Sequence, residues 1–124
     1  MNEEIKEHIA NALKSGIRLD GRKGDEFRKI EIQTDVIKTA AGSAHVKCGD
    51  TEVIAGVSLS VSTPFPDKPD DGVLMVGTEL LPLSNPEFES GPPSIDSIEI
   101  SRVIDRGVRE SKGVDTSALC IKKG

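Results

Sequence analysis

Three arginines are the residues of this 124-residue chain whose type and spacing could do chemistry. Arg102, Arg106 and Arg109 are separated by four and three positions. On a helix that turns about 100° per residue, they share one narrow stripe. A guanidinium group is a planar fork of N–H donors that fits phosphate oxygens well. The spacing therefore predicts a helix face that can grip successive phosphates of a nucleic acid.

An ordinary solvated helix face could give the same pattern. Acidic residues lie three or four positions from each arginine, in the pairs Glu99 with Arg102, Asp105 with Arg109, and Arg106 with Glu110. Such pairs stabilise an exposed helix by about 0.2–0.5 kcal/mol each and imply no ligand. The residue types alone leave both interpretations open.

A second basic group, Arg18 and Arg22, flanks the sequence Leu-Asp-Gly at residues 19–21. A glycine beside basic groups lets the backbone and the side chains approach an anion together. A polar, glycine-rich segment is also what an exposed loop looks like. This group is a weaker candidate for anion binding than the arginines of the predicted helix.

No motif for catalysis, a metal or a cofactor stands out. His8 and His45 are far apart in the sequence and lack a suitable third ligand. Cys48 and Cys120 lie in apolar, strand-like segments without metal-ligand spacing, so we expect reduced, buried thiols. Phosphate-loop, dinucleotide and nucleophile-elbow motifs are missing. We expect no catalytic residue, no metal site and no cofactor.

Composition limits how RNA could be bound. The chain is 35% hydrophobic and 30% charged, as a soluble globular protein is. Its net charge of −5 argues against a free-standing nucleic-acid binder, and three Phe with no Trp or Tyr argue against base stacking. There is no apolar run of about 20 residues and no signal-like N-terminus. We expect a cytoplasmic protein with no membrane partner, and arginine contacts to any RNA.

Periodicity predicts an α+β fold with an antiparallel-rich sheet packed on a helix. The expected elements, in chain order, are a helix at 3–15, an exposed loop at 18–25, strands at 27–39, 43–48, 53–61 and 73–83, a helix at 94–112, and a short strand at 118–121. Turns are expected at residues 41–42 and 49–50. Ser94 is the expected N-cap of the second helix.

The second helix is predicted to be two-sided. Ile100, Val103, Ile104 and Val108 fall on the side away from the arginines, so that side is expected to face a core. A strand that begins near residue 118 needs a following element to pair with it. We therefore expect a longer fold, or a sheet that another chain completes.

Four segments carry a resemblance to the ribonuclease PH family. They are residues 18–22 (Arg-Leu-Asp-Gly-Arg), 41–57, 79–89 and 97–112. The last two resemble, in particular, the family's non-catalytic ring subunits of the archaeal exosome. The similarity covers essentially all of residues 1–124.

The resemblance implies a ribonuclease PH-like (ribosomal protein S5 domain 2-like) fold. On this expectation, residues 1–16 are an N-terminal helix and residues 17–124 are the N-terminal half of the domain. It also implies a hexameric ring of alternating catalytic and non-catalytic subunits under a cap of S1- or KH-bearing proteins. In such a ring, inorganic phosphate attacks the RNA 3′ end in the catalytic subunit. The non-catalytic subunit supplies RNA-binding arginines, which here would be Arg22, Arg102, Arg106 and Arg109.

Two departures from the catalytic pattern bear on activity. The family's catalytic subunit has an arginine pair just before the equivalent helix, where this chain has Ile95 and Asp96. The family's phosphate-binding loop and catalytic aspartate belong to the second half of its domain. We therefore expect a chain that is not an enzyme by itself. The alternatives are an active phosphorolytic exoribonuclease and a purely structural assembly fragment. A half-length fold is also expected to expose apolar surface, and so to oligomerise or be marginally stable.

Overall fold

The computed structural model describes residues 2–124 and has the α+β composition predicted from the sequence. Its elements, in chain order, are α1 (Glu3–Lys14), β1 (Ile30–Thr34), β2 (Gly42–Cys48), β3 (Thr51–Val57), α2 (Ile95–Ser111) and a 3₁₀ helix (Ser117–Leu119). The chain divides after Ser60 into two compact units. No helix within residues 2–124 combines the length and apolar character needed to cross a bilayer.

The first unit opens with α1, close to the predicted bounds. Glu3 and Glu4 in its first turn and Lys14 in its last complement the helix dipole. The helix ends at Lys14, and Gly16 follows its C-cap with a φ of 73°, in the left-handed region that glycine adopts easily. Met1, which belongs to the predicted helical segment 1–16, lies outside the described residues. The boundary at residue 16 stays a prediction.

The three strands of the first unit form an antiparallel meander in the order β1-β2-β3. Val46 in the central strand pairs with Ile32 on one side and Val53 on the other. The predicted turn at residues 49–50 joins β2 to β3, with Gly49 at φ 61°. Of the described residues, no Cα atom of α1 comes within 8 Å of a strand. This helix therefore does not cover the sheet.

The predicted strand at 27–39 was too long, because the chain leaves the sheet at Asp35. That residue has φ 59°, which lies outside the β region of backbone conformations. The segment that follows turns back, and the Ser43 hydroxyl accepts a 2.8 Å hydrogen bond from the backbone N–H of Ile37. A side-chain acceptor thus replaces a ladder partner. At the other end of the sheet, β3 stops at Val57, four residues before the predicted end.

In the second unit, two predicted strands are absent. Residues 73–83 form no strand, although Val76, Thr78 and Leu80 are half-buried and the residues between them are exposed. The period of two is present, but a strand also needs a hydrogen-bonded neighbour. Residues 118–121 were predicted as a strand and instead lie at the 3₁₀ helix. There Asp115 Oδ1 accepts hydrogen bonds from the Ser117 N–H (3.1 Å) and hydroxyl (2.6 Å).

The second unit is fastened where residues 69–72 meet the C-terminal segment. The Gly72 N–H donates to the Thr116 carbonyl at 2.8 Å. Lys123 Nζ lies 3.2 Å from Asp70 Oδ2. A Cβ atom at Gly72 would come within 2.7 Å of the Leu119 Cβ, so this close approach needs a glycine.

Among the described residues, neither unit has a hydrophobic core. No apolar side chain is buried, and Ser97, 2% exposed, is the one buried residue. The chain exposes 10820 Å². A self-contained 13.2 kDa protein would expose about 6,400 Å², and two self-contained units of half that mass about 7,700 Å² together. The predicted exposure of apolar surface is confirmed, whichever comparison is used.

Candidate RNA-binding helix

Helix α2 begins and ends on local capping signals. The predicted N-cap, Ser94, has an extended backbone, and its hydroxyl accepts a 3.2 Å hydrogen bond from the Ser97 N–H. Asp96 lies in the first turn, where a negative charge is favourable to the helix dipole. Lys112 ends the helix with φ 53°, in the left-handed region. The predicted helix at 94–112 is confirmed.

The side of α2 predicted to face a core is not covered by the residues that the structure describes. Ile100, Val103 and Ile104 remain 39%, 67% and 44% exposed. The covered stripe lies about 90° around the helix and consists of Ser97, Ser101, Asp105 and Val108. Ser97 and Ser101 can lie in this stripe because their hydroxyls donate to carbonyls about one turn back, at 2.9 and 2.7 Å.

Arg102 and Arg106 carry unpaired charges. Both side chains are exposed, and neither forms a hydrogen bond or an ion pair with any residue in 2–124. The predicted pairs Glu99 with Arg102 and Arg106 with Glu110 are thus not formed. The two arginines stand about 6 Å apart along the helix axis. This part of α2 is therefore not an ordinary solvated face whose charges are paired with one another.

Arg109, in contrast, is held inside the chain. It forms the predicted pair with Asp105, through Nε to Oδ1 and through Nη2 to Oδ2 at 3.2 Å. The same Nη2 donates to the backbone carbonyl of Leu74 at 2.7 Å. The hydrogen bonds between the two side chains lower the pKa of Asp105 below its usual value and raise the pKa of Arg109. Both groups are charged at neutral pH and engaged with each other.

The two arginines of the loop in the first unit also bind the chain itself. Arg22 Nε donates to Asp20 Oδ2 at 2.6 Å, and its Nη1 donates to the Glu26 carbonyl at 2.9 Å. Arg18 Nη2 donates to the Gly24 carbonyl at 2.7 Å. The hydrogen bonds from Arg22 hold the pKa of Asp20 below its usual value. Hydrogen bonds from its own arginines therefore hold together the segment predicted as an exposed loop.

Other reactive side chains do not converge on a site. Within residues 2–124 there is no group of three or more His, Cys, Asp or Glu residues that could hold a metal ion. His45 Nε2 lies 3.3 Å from Glu52 Oε2 across the two strands β2 and β3. Cys48 and Cys120 are free thiols, half-buried where burial was predicted.

The Leu74 carbonyl is the one contact of the α2 arginines that the sequence did not predict. Every residue offers a carbonyl, and only the fold selects which one is bound.

Most of the chain matches a known protein family. The profile of the family described as "3' exoribonuclease family, domain 1" matches residues 26–118. This chain therefore belongs to the 3′ exoribonuclease family, in its domain 1. The resemblance to ribonuclease PH proteins found in the sequence is confirmed.

Within that family, the chain is similar to exosome components of archaea. The chain is 54% identical over 122 residues to the exosome complex component Rrp42 of Methanocella arvoryzae, covering 98% of this chain and 47% of the relative. It is 51% identical over 119 residues to Rrp42 of Archaeoglobus fulgidus, covering 96% of this chain and 46% of the relative. The chain thus spans about half the length of the curated relatives it matches.

Solved structures give the same result for the fold. A chain of the Archaeoglobus fulgidus exosome with RNA bound to the active site superimposes with a TM-score of 0.90 at 52% identity, over 98% of this chain and 48% of that one. A chain of an archaeal exosome core superimposes with a TM-score of 0.80 at 46% identity, over 98% and 45% of the two chains. The predicted ribonuclease PH-like fold is confirmed.

Proposed function

We propose that this chain contributes to a non-catalytic ring subunit of an archaeal exosome. In this role it supports phosphorolytic 3′ to 5′ degradation of RNA by a catalytic sister subunit. The observation that carries the proposal is the TM-score of 0.90, at 52% identity, with a chain of an exosome solved with RNA. The proposal includes S1- or KH-bearing cap proteins as further partners and a cytoplasmic location.

RNA contact is assigned first to Arg102 and Arg106. Their guanidinium groups are exposed and unpaired within the described residues, so binding a phosphate breaks no existing ion pair. In a chain of net charge −5, two such groups form a local site and not a general basic field. Arg22 and Arg109 belong to the same predicted set, but their side chains are already engaged.

Catalysis is assigned to the sister subunit. Ile95 and Asp96 open α2. The resemblance to the family implies that its catalytic subunit carries an arginine pair at this place. The Asp96 carboxylate repels phosphate, so this end of the helix is poorly suited to hold an RNA backbone. The arginine stripe and the acidic helix start thus divide α2 into a part suited to RNA and a part that is not.

Assembly tests the proposal directly. We expect the chain, co-expressed with a ribonuclease PH-type catalytic subunit of an archaeal exosome, to co-elute with it as one species holding equal amounts of both. The exposed apolar surface of both units supplies the physical reason. Size-exclusion chromatography with light scattering measures the mass, and the chain alone is the control.

Two results would contradict the proposal. Separate elution of the two proteins would show that the chain does not assemble with the catalytic subunit and is not a ring subunit. Phosphate-dependent release of ADP from poly(A) by the purified chain alone, with Mg²⁺, would instead support the active exoribonuclease. The purely structural alternative predicts normal assembly and is separated from RNA binding by variants of Arg102 and Arg106.

A further inference from the structure

One side chain gives helix α2 its long-range polar contact with the rest of its unit. Among the described residues, Arg109 makes the only side-chain hydrogen bond from α2 to a residue more than two positions beyond either end of the helix. Its acceptor, the Leu74 carbonyl, is 35 positions away in the sequence. The helix therefore depends on Arg109 for its polar attachment.

We infer that Arg109 is a positioning residue: with Asp105 it fastens α2 to the backbone at Leu74 and so sets where Arg102 and Arg106 meet RNA phosphates. The inference rests on the proposed function of that arginine stripe. It assigns to Arg109 a role different from that of the two exposed arginines, although the three share one spacing pattern.

The geometry of the tie needs a guanidinium group. Nη2 reaches the Leu74 carbonyl at 2.7 Å while Nε and Nη2 grip the two oxygens of Asp105. Asp105 belongs to the covered stripe of the helix, and its side chain is 27% exposed against 50% for Arg109. A planar fork makes these contacts together, whereas the single ammonium group of lysine does not reproduce them.

Arg109 is close enough along α2 to influence the exposed arginines. It lies three residues from Arg106 and seven from Arg102, within about 11 Å along the helix axis. A helix moves largely as a rigid element over such a distance. Loss of the tie at Arg109 therefore displaces both RNA-contact groups without removing either charge.

Neutralising Asp105 separates positioning from direct contact, because the two roles predict opposite signs. If Arg109 binds RNA phosphate itself, Asp105→Asn removes a repelling charge and frees the arginine, so RNA binds more tightly. If Arg109 positions the helix, the same change loosens the tie, and RNA binds less tightly. Glu110→Gln is the matched control, since it removes one negative charge from the same helix at a side chain without a hydrogen bond in the described residues.

The experiment measures the affinity of the assembled complex for a fluorescent oligo(A) across a salt series. We expect Asp105→Asn to weaken binding about three- to ten-fold. The slope of log affinity against log salt stays unchanged, because no phosphate contact is removed. Arg109→Lys is expected to weaken binding similarly although it keeps the charge, whereas Glu110→Gln binds as tightly as the parent or more so.

Either of two outcomes overturns the inference: tighter or unchanged binding by Asp105→Asn, or parental affinity in Arg109→Lys. Circular dichroism and thermal melting show whether each variant folds. If Asp105→Asn does not fold, the RNA affinity of Arg109→Lys decides the question. Replacing Arg102 and Arg106 with alanine tests the proposed function separately. If that double variant binds RNA normally, the RNA-contact part of the proposed function fails, whatever the result for Asp105→Asn.

Discussion

Reversing the charges of Arg102 and Arg106 together to glutamate is expected to weaken RNA binding by the assembled complex about 30- to 100-fold. Each change removes an exposed guanidinium that has no partner among the described residues, and places a carboxylate where a phosphate would sit. The two groups stand on neighbouring turns, so both contacts are lost at once. This is the largest effect on RNA binding that we expect.

A salt series shows whether phosphate contacts are responsible. Each contact to single-stranded RNA contributes about 0.7 to the slope of log affinity against log salt, so removing two lowers the slope by about 1.4. Lys6→Glu with Lys38→Glu is the matched control. These exposed lysines are ion-paired with Glu3 and Asp35, and their reversal changes the net charge by the same amount. Equal weakening by the control would show a general field in place of a local site.

The second large effect concerns the isolated chain: we expect its free energy of unfolding to depend only weakly on denaturant concentration, which is a low m-value. From the size scaling of accessible surface, folding to the observed 10820 Å² removes only about 8,300 Å², against about 12,700 Å² for a self-contained protein of this mass. Because the m-value follows the area exposed on unfolding, it should be about two-thirds of the ordinary value. The chain should also bind a hydrophobic dye.

Urea unfolding followed by circular dichroism measures this m-value at several chain concentrations. Dilution tests for self-association, which would cover apolar surface and raise the apparent stability. The assembled complex is the control, and there the dye signal should fall as partners cover the chain. An ordinary m-value without dye binding in the dilute chain would show that the apolar surface is already covered in solution.

The parts of the fold that sequence could predict depend on local signals. Ser94 caps α2, Gly16 follows the C-cap of α1 and Gly49 makes the β2–β3 turn because each geometry is decided within a few residues. The strand predicted at 73–83 failed for the opposite reason. An apolar run with a period of two shows which side chains can be covered, but a strand exists only where another strand offers its backbone.

The same distinction holds for the candidate site. Periodicity placed the three arginines on one stripe, but it also placed Ile100 and its apolar neighbours toward a core that the described residues do not supply. The burial of Ser97 and the bond from Arg109 to Leu74 depend on tertiary contacts that residue type does not encode. Family membership, in contrast, was accessible because it rests on long motifs and not on packing.

Photocrosslinking of 4-thiouridine RNA to the assembled complex, followed by mass spectrometry of the crosslinked peptides, shows which segments of this chain touch RNA. From the proposed function, we expect crosslinks to this chain at the part of α2 that holds Arg102 and Arg106, and their loss when both charges are reversed. Crosslinks confined to the catalytic partner, or found on this chain only away from α2, would contradict it.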